Sequence, residues 1–513
     1  MSAPQSATPT LAETLLAEHD PSSTALVAVD GAELSRGALA AEIADLVRAL
    51  RGLGVVRGDR VAIVLSGGPA LAVAFLAVAD AATAAPLNPS YSADEFAFFL
   101  DDLHARAVVV DAGERGPIIE AATRTGVAIV DRIDEPARGA GCFRLSARSP
   151  RRGGTATVVS KGSPDVALML HTSGTTARPK LVPLTHRNLA LSARSIAAGL
   201  ALGPADRMLC VMPLFHIHGL IAGLAAPLAG GASVVCAPGF HPQRVYGWLD
   251  RLAPTAITAV PTMYQSMVAH ADVNREAIGR ARLRFARSSS SPLPPSLAAE
   301  IEATLGCPAI EAYGMTEASH QVTSNPLPPG VRRPGSVGPA PPAEVAIVDA
   351  AGARAGSDVV GEVVLKSPRV TAGYEAAPEV NAQAFVDGWF RTGDLGRIDA
   401  DGYLWLTGRS KEIINRGGEK ISPREVDDVL CAHPAVLQAV TFALPDPVWG
   451  EDVAAAIVLR PGRTADDGEL RRHAARTLAR FKVPRRFVFV DEIPKGPSGK
   501  LQRIGLAKTL GLT

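Results

Sequence analysis

Short apolar runs alternate with alanine-rich or amphipathic segments from residue 59 to about residue 314. The runs are rich in β-branched side chains, and polar or glycine-containing segments follow them. This alternation predicts βαβ units and a mainly parallel arrangement of strands. Ligands of open α/β sheets bind beyond the carboxyl ends of the strands, which is where the polar segments fall. The predicted strands cover residues 61–65, 107–110, 167–170, 208–212, 233–236 and 256–260.

The pattern changes in the last third of the chain. Glycine-punctuated apolar runs predict a small β subdomain, with strands at residues 345–348, 363–365 and 403–405. Beyond Lys411 the order of elements predicts a further domain, with helices at 423–432 and 466–478 and strands at 436–442, 453–459 and 487–490. We therefore predict an α/β fold. A large N-terminal domain with βαβ-type sheets and a small β subdomain precedes a small α+β C-terminal domain.

Length and charge narrow the class of partner. A chain of 513 residues is long enough for two or more domains. Its 52 basic and 51 acidic residues nearly cancel, so bulk electrostatics give no reason to expect nucleic acid or an anionic membrane as a partner. We expect small-molecule partners and either a monomer or a homodimer.

Three further patterns bear on localisation. The first 18 residues lack a basic start and contain Glu13 and Glu18, so no secretory signal is expected and a cytoplasmic location is predicted. The uncharged stretches 61–79 and 208–240 are interrupted by glycine and proline, which favours strand, turn and buried helix over a membrane span. The five cysteines are scattered without a CxxC pair, as expected for small buried residues in a reducing compartment.

A loop rich in hydroxyl groups directly follows the apolar run at residues 166–170. Residues 171–180 read His-Thr-Ser-Gly-Thr-Thr-Ala-Arg-Pro-Lys. Glycine allows backbone N–H groups to turn toward an anion, hydroxyls donate hydrogen bonds, and Arg178 and Lys180 neutralise charge. The segment is typical of a polyphosphate cradle, although it lacks the GxxxxGK[ST] pattern. The alternative is a polar surface loop.

This cradle is the first of six motifs that occur in one order. The others are Pro-Leu-Phe-His at 213–216, Glu-Ala-Tyr-Gly-Met-Thr-Glu at 311–317, Gly-Trp-Phe-Arg-Thr-Gly-Asp at 388–394, Gly-Arg at 408–409 and Pro-Lys-Gly-Pro-Ser-Gly-Lys at 494–500. Together they resemble the adenylate-forming superfamily, the AMP-dependent acyl-CoA synthetases and ligases, over nearly the whole chain. The resemblance implies an acid–thiol ligase. In such enzymes a carboxylate attacks the α-phosphate of ATP and releases pyrophosphate, and the thiol of CoA then displaces AMP.

The resemblance also implies the residues that bind ATP and Mg²⁺. Glu317 corresponds to the carboxylate that holds Mg²⁺, an ion that prefers oxygen ligands, and Thr316 to a contact with the α-phosphate. Asp394 corresponds to the ribose-binding aspartate, and Arg409 reaches the same nucleotide. The phosphate cradle comprises Thr172, Ser173, Gly174, Thr175, Thr176 and Lys180, and the nucleotide is also bound by Glu311, Ala312 and Tyr313, with Tyr313 against adenine. Taken singly, the two carboxylates would be solvated loop groups or helix caps, Tyr313 a core or rim residue and Arg409 a surface charge.

Lys500 lies in a loop rich in proline, glycine and serine. In the family, the C-terminal domain rotates about a residue that corresponds to Lys411, so we expect residues 1–408, a hinge at 409–411 and a mobile domain at 412–513. One pose inserts Lys500 beside the reacting carboxylate and α-phosphate. The other presents Gly417 and Gly418 to pantetheine. Without the resemblance, Lys500 would be a solubilising charge.

Two positions depart from the family pattern. Glycine is usual where this chain has Ala177 and Leu181. If either position needed φ > 0, a side chain would cost about 1 kcal/mol or more and alter the mobility of the loop. We nevertheless expect activity to be retained.

Longer segments are similar to the oxalate-CoA ligases (oxalyl-CoA synthetases) of plants and fungi. This similarity implies that Ser290 and His320 hold the acid, with His216 nearby and also a candidate catalytic residue. Oxalate is a small dianion, so its distal carboxylate needs donors or cations. Arg287 either supplies the countercharge, supports the site from behind or lies at the surface. Without the resemblance, His320 would be a satisfied polar loop residue and the serines a turn. The similar segments are 213–219, 284–290, 315–321, 324–328 and 414–423.

Other functions remain open from the sequence. Malonate is the second candidate acid, and a short- or medium-chain fatty acid is the third. A catalytically silent nucleotide-binding relative would be expected to lack Lys500 or Glu317, and both are present. A unit that charges a carrier protein is disfavoured, because no thiolation module follows Thr513 in this sequence.

Overall fold

The chain folds around two large sheets, and the computed structural model describes residues 9–149, 166–172, 179–494 and 503–512. Each sheet has parallel strands at its centre and one antiparallel strand at each edge, which confirms the predicted βαβ architecture. The six strands predicted between residues 59 and 314 are found within one or two residues of their expected bounds. The first sheet contains, in spatial order, Phe143–Ser149, Ala128–Asp134, Ala107–Asp111, Arg60–Val64, Thr83–Pro86, Val166–Thr172 and Lys180–Thr185.

The second sheet carries most of the candidate acid-binding residues. The strands of its parallel centre run side by side, so their carboxyl ends lie at one edge of the sheet. In spatial order the strands are His320–Ser324, Ala309–Met315, Phe285–Ser288, Ala256–Ala259, Arg207–Cys210, Ser233–Cys236, Thr24–Ala28 and Glu33–Ser35.

A continuous apolar core joins the two sheets. The helix Pro69–Ala81 lies in this core together with strand residues from both sheets, and ten of its thirteen residues are buried. A helix that is apolar on all sides is typical of such a position. It begins with proline after Gly68, whose φ of 103° only glycine adopts readily. The uncharged stretch at 61–79 is therefore a strand, a turn and a buried helix, as predicted.

Two smaller sheets follow. The predicted β subdomain is an antiparallel sheet of Val345–Val348, Gly361–Leu365, Phe385–Val386, Trp389–Ile398 and Leu404–Arg409. The apolar clusters that pack on the C-terminal sheet are formed by residues that follow Lys411 in the chain. The domain boundary near Lys411 stays a prediction. The C-terminal strands are Ile414–Arg416, Glu419–Ile421, Val436–Asp446, Gly450–Leu459 and Arg486–Phe489.

Helices cover both faces of the large sheets. Within the described ranges, no helix is long and apolar enough to cross a membrane. The α-helices are Leu11–Leu16, Arg36–Gly52, Pro69–Ala81, Ala93–Asp102, Pro117–Thr125, His186–Gly199, Ala226–Ala229, Val245–Leu252, Pro261–Ala269, Arg275–Arg280, Pro295–Leu305, Pro378–Ala384, Pro423–Cys431, Asp467–Ala475 and Leu506–Thr509. Short 3₁₀ turns occur at Pro136–Arg138, Asp272–Asn274, Thr316–Ala318, Ser410–Glu412 and Arg480–Lys482.

The second uncharged stretch contains a π-helix, His218–Ala225, all of whose residues are buried. Such wide turns are rare and frequently mark functional sites. Two glycines allow its close packing. A Cβ on Gly223 would lie 2.4 Å from the sulfur of Cys210, and a Cβ on Gly219 would lie 2.4 Å from the carbonyl oxygen of Pro213. The π-helix begins with a histidine that belongs to the site described below.

Candidate active site

The antiparallel strands Val166–Thr172 and Lys180–Thr185 flank the predicted phosphate cradle in the sequence. Thr172 and Lys180 face each other at the end of this strand pair next to the cradle residues, and the Thr172 hydroxyl donates to the Lys180 carbonyl at 3.4 Å. Leu181 follows in the extended strand Lys180–Thr185 with a buried side chain, so the residue that replaces the usual glycine causes no strain. Six other residues of this segment lie outside the described part of the chain: Ser173, Gly174, Thr175, Thr176, Ala177 and Arg178.

Lys180 and Glu317 meet around a tyrosine that the sequence did not indicate. The Tyr374 hydroxyl donates to Glu317 Oε1 at 2.9 Å, and Lys180 Nζ lies 4.4 Å from the centroid of the same ring. Burial lowers the pKa of Lys180, Glu317 opposes that change, and the nearby charge of Lys411 lowers the pKa further. Burial, with the Glu317 charge, raises the pKa of Tyr374, so this tyrosine is a neutral donor.

Residues 371–375, which include Tyr374, form hydrogen bonds to the segment that contains Glu317 and to the strand that begins at Lys180. The Thr371 N–H donates to the Glu317 carbonyl at 2.7 Å, and its hydroxyl donates to the Pro183 carbonyl at 2.7 Å. The Glu375 N–H donates to the Leu181 carbonyl at 2.9 Å. The segment 371–375 therefore connects the 3₁₀ turn Thr316–Ala318 to the strand Lys180–Thr185. This connection places Thr316 and Glu317 next to that strand.

The predicted nucleoside residues also come together. Tyr313 donates to Asp394 Oδ2 at 2.5 Å, and Arg409 Nε lies 2.8 Å from Asp394 Oδ1. Asp394 and Arg409 face each other in neighbouring antiparallel strands. Burial, with the Asp394 charge, raises the pKa of Tyr313, and the Asp394 charge raises that of Arg409. Each carboxylate oxygen can accept more than one hydrogen bond, so Asp394 can still accept from ribose hydroxyls.

Glu311 is the predicted nucleotide residue whose side chain is already engaged elsewhere. Its carboxylate accepts from the Leu293 N–H at 3.3 Å and lies 3.8 Å from Arg424, in the helix Pro423–Cys431. Burial raises the pKa of Glu311 to about 7, although the charge of Arg424 lowers it. The next residue, Ala312, accepts the Ser289 hydroxyl at its carbonyl at 2.9 Å. These contacts fix the strand Ala309–Met315 that carries Tyr313.

We expect the Glu311→Gln variant to gain stability relative to wild type as pH rises. The pKa of Glu311 is raised to about 7 in the folded state, whereas a carboxyl in the unfolded chain titrates near about 4.3. Between these values the folded state binds more protons, so the free energy of unfolding falls with rising pH. Unfolding measured from about pH 5 to about pH 8 should show a relative change of roughly 1–3 kcal/mol. The exposed control Glu379→Gln should follow wild type, and parallel curves for wild type and Glu311→Gln would contradict this prediction.

The candidate acid-binding residues meet at the carboxyl end of the second sheet. Ser290 follows the strand Phe285–Ser288 with a φ of 72°, and its hydroxyl lies 3.0 Å from His218 Nδ1. The ring of His320 stacks on that of His218, with centroids 4.8 Å apart and planes at 18°. A Cβ on Gly314 would lie 1.4 Å from the His320 carbonyl oxygen, so only glycine allows this close turn. The structure thus joins Ser290 and His320 through a histidine that was not predicted as a site residue.

Arg287 lies behind these groups and is fully buried. Its Nη1 is 3.3 Å from His218 Nε2, and its Nη2 donates to Gln321 Oε1 at 3.0 Å. Burial lowers the pKa of Arg287 to about 10, which leaves the side chain charged at neutral pH. The sequence left open whether Arg287 supplies the countercharge, supports the site from behind or lies at the surface. Its burial excludes a surface position. His216 is partly buried beside Phe215, with ring centroids 4.6 Å apart.

Three of the C-terminal candidates lie in two turns of the described part of the chain. Gly417 and Gly418 have φ values of 57° and 94° in a two-residue hairpin turn, and a Cβ on Gly417 would lie 2.4 Å from the Trp449 ring. Lys411 is exposed in the 3₁₀ turn Ser410–Glu412. Lys500 lies outside the described residues, so its role stays a prediction.

Arg503, three residues after Lys500 in the sequence, is anchored close to the predicted hinge. Arg503 donates to Glu412 Oε2 at 3.0 Å and to Asp427 Oδ2 at 2.8 Å. Glu412 directly follows Lys411, so Arg503 is bonded to the residue beside the predicted hinge.

Comparisons with known proteins show the family to which the chain belongs. A family model described as AMP-binding enzyme matches residues 15–375, and a model of the AMP-binding enzyme C-terminal domain matches residues 425–500. An oxalate–CoA ligase of Arabidopsis thaliana is 42% identical over 454 residues, which cover 88% of each chain. An oxalate–CoA ligase of Saccharomyces cerevisiae is 41% identical over 482 residues, which cover 89% of this chain and 87% of the relative.

A solved structure gives the same result for the fold. The ATP-bound structure of MatB from Rhodopseudomonas palustris superposes with a TM-score of 0.86 at 30% identity and covers 98% of both chains. Sequence and fold therefore confirm the resemblance indicated by the six motifs. The chain belongs to the family of AMP-binding enzymes, and within it to the acid–thiol ligases.

Proposed function

We propose that the protein joins oxalate to CoA, with ATP converted to AMP and pyrophosphate. The observation that carries the choice of acid is the polar cluster around Ser290, in which a buried guanidinium stands behind two stacked histidines. An apolar acyl chain placed there would offer no acceptor to the Ser290 hydroxyl or to the buried positive charge, and a buried polar group that lacks a partner costs about 1–3 kcal/mol. A second carboxylate would instead pair with them.

The first half-reaction forms the acyl-adenylate. A carboxylate oxygen of the acid bonds to the α-phosphorus of ATP, and the bond from that phosphorus to pyrophosphate breaks. Negative charge grows on the phosphate oxygens, so catalysis depends on positioning and on fixed positive charge. We assign the outer phosphates to Thr172, Lys180 and the hydroxyl-bearing residues between them in the sequence. Thr316 and Lys500 are assigned to the α-phosphate and to the reacting carboxylate.

The second half-reaction forms the thioester. The sulfur of CoA attacks the acyl carbon, the carbon–oxygen bond to AMP breaks, and the thiol proton passes to solvent. We assign the approach of pantetheine to the turn of Gly417 and Gly418, because glycine allows a ligand to come close to the backbone. Gly417 itself packs against Trp449, whereas an added Cβ on Gly418 would meet no atom within 4 Å. Rotation about Lys411 would exchange this turn for Lys500 at the site.

Glu317 fits the role of a Mg²⁺ ligand. Its Oε1 accepts from Tyr374, so Oε2 is directed away from that hydrogen bond. Mg²⁺ is commonly held by one or two protein carboxylates together with substrate phosphates and water. When bound, it would neutralise part of the phosphate charge. Tyr374 would orient the Glu317 carboxylate beside Lys180.

ATP–pyrophosphate exchange with a panel of acids tests the proposed substrate. We expect oxalate to give the highest kcat/KM, malonate to be slower, and acetate or hexanoate to be slower by about 100-fold or more, because they lack a second charged group to pair with the site. Fastest exchange with hexanoate would contradict the polar acid site. Binding of ATP without exchange for any acid would instead support a silent nucleotide-binding relative.

A further inference from the structure

Arg287 is an unusual residue for its position. It lies in the strand Phe285–Ser288, paired with Thr258 on one side and Ile310 on the other, inside the parallel part of the second sheet. A charge in such a place is costly unless it is paired. Among the residues that the structure describes, its side chain bonds no carboxylate, and its partners are His218, Thr258 and Gln321. Its Nε, also buried, has no hydrogen-bond partner within the described ranges.

The contact with His218 determines which ring nitrogen carries the proton. A guanidinium has only donors, so His218 Nε2 must present its lone pair to Arg287 at 3.3 Å. Thr258 Oγ1, 2.7 Å from the same nitrogen, can donate to it as well. The adjacent cation also disfavours a second proton on the ring. The neutral ring then carries its hydrogen on Nδ1.

This tautomer in turn orients Ser290. His218 Nδ1 lies 3.0 Å from Ser290 Oγ, so the ring donates and the hydroxyl accepts. The Ser290 hydrogen is then directed away from the ring, and Ser290 is partly exposed whereas Ser289 is buried. In the opposite tautomer the hydroxyl would donate to the ring and could not donate to a ligand.

We propose that Arg287 is a positioning residue for acid selection, which acts through His218 to make the Ser290 hydroxyl a hydrogen-bond donor to the carboxylate of the acid. This proposal rests on the proposed function of the site, since Ser290 is taken to contact the acid. Arg287 then affects the binding of the acid and does not affect the binding of ATP. Arg287 itself need not touch the substrate.

A double-mutant cycle tests the relay. Steady-state exchange is measured for wild type, Arg287→Met, Ser290→Ala and the double variant, with oxalate and with whichever acid of the panel reacts fastest. Each single change is expected to lower kcat/KM for the acid by about 10- to 100-fold, mainly through KM, with KM for ATP within about twofold of wild type. In the Ser290→Ala background, Arg287→Met should cause little further loss, because both changes remove the same bond. The exposed control Arg282→Met should behave as wild type.

A purely structural role for Arg287 gives a different result. The losses would then be additive, and KM for ATP would rise together with KM for the acid. Either result overturns the relay. Activity of the wild type with an acid other than oxalate would change the proposed substrate but not the outcome of the cycle, so the two proposals fail separately.

Two substitutions of His218 test the same relay with the buried cation left in place. His218→Asn puts an amide nitrogen near the position of Nδ1 and can still donate to Ser290, whereas His218→Gln puts its amide near Nε2. We expect the Asn variant to stay within about fivefold of wild type and the Gln variant to lose about as much as Ser290→Ala. The reverse order, or equal losses, would contradict the proposal even if Arg287→Met does not fold.

Discussion

Replacement of Lys500 by alanine is expected to lower the rate of acyl-adenylate formation by about 100- to 1,000-fold. The change removes a cation assigned to the carboxylate and α-phosphate, and loss of one such electrostatic contact in other enzymes costs this much. Thioester formation from a supplied acyl-adenylate and CoA should stay within about threefold of wild type, because the account places Lys500 away from the site in that half-reaction.

The split between half-reactions makes the Lys500 test specific. Lys508→Ala is a matched control, since Lys508 is exposed in the helix Leu506–Thr509 and has no assigned role. It should leave both half-reactions unchanged. An equal loss in both half-reactions for Lys500→Ala would indicate a general disturbance of the C-terminal region. Undiminished exchange would remove Lys500 from the mechanism.

Glu317→Gln is the second change with a large expected effect. We expect exchange to fall by about 100-fold or more and to require a higher Mg²⁺ concentration, since a neutral amide is a weaker ligand for a hard cation. Tyr374→Phe should cause a smaller loss, because it removes only the hydroxyl that orients this carboxylate. The control Glu379→Gln alters an exposed carboxylate. An unchanged Mg²⁺ dependence in Glu317→Gln would contradict the assignment.

Local sequence pattern accounts for much of the fold. The strand Ser233–Cys236 has its predicted bounds, and the helix Asp467–Ala475 begins where Asp466 accepts the Glu469 N–H at 2.7 Å. Both features depend on neighbouring residues, which a sequence displays directly. The division of the strands between two sheets depends on long-range pairing, so the pattern did not reveal it. The π-helix at His218–Ala225 was hidden for a related reason, since a uniformly apolar segment shows no period.

The candidate nucleotide-binding residues were predicted through ordered motifs, whereas the contacts that support them in the fold were not predicted. Tyr374 and Glu317 are 57 residues apart in the chain, and neither position suggests the other. Glu311 was assigned to the nucleotide, but its carboxylate lies against Arg424 in a helix that follows the predicted hinge. His218 ends the Pro-Leu-Phe-His-Ile-His segment, which the sequence did indicate as similar to the family. Within that segment a role was predicted for His216 and none for His218. Arg287 could not be placed, because its burial is produced by neighbouring strands.

Incubation with oxalate labelled with ¹⁸O in its carboxylates, followed by mass spectrometry of the nucleotide product, tests the central claim most directly. The account predicts oxalyl-CoA together with AMP that carries one ¹⁸O atom per turnover and unlabelled pyrophosphate, because an oxygen of the acid bonds to the α-phosphorus and leaves with AMP. Unlabelled AMP, or label in inorganic phosphate with ADP as the other product, would contradict it.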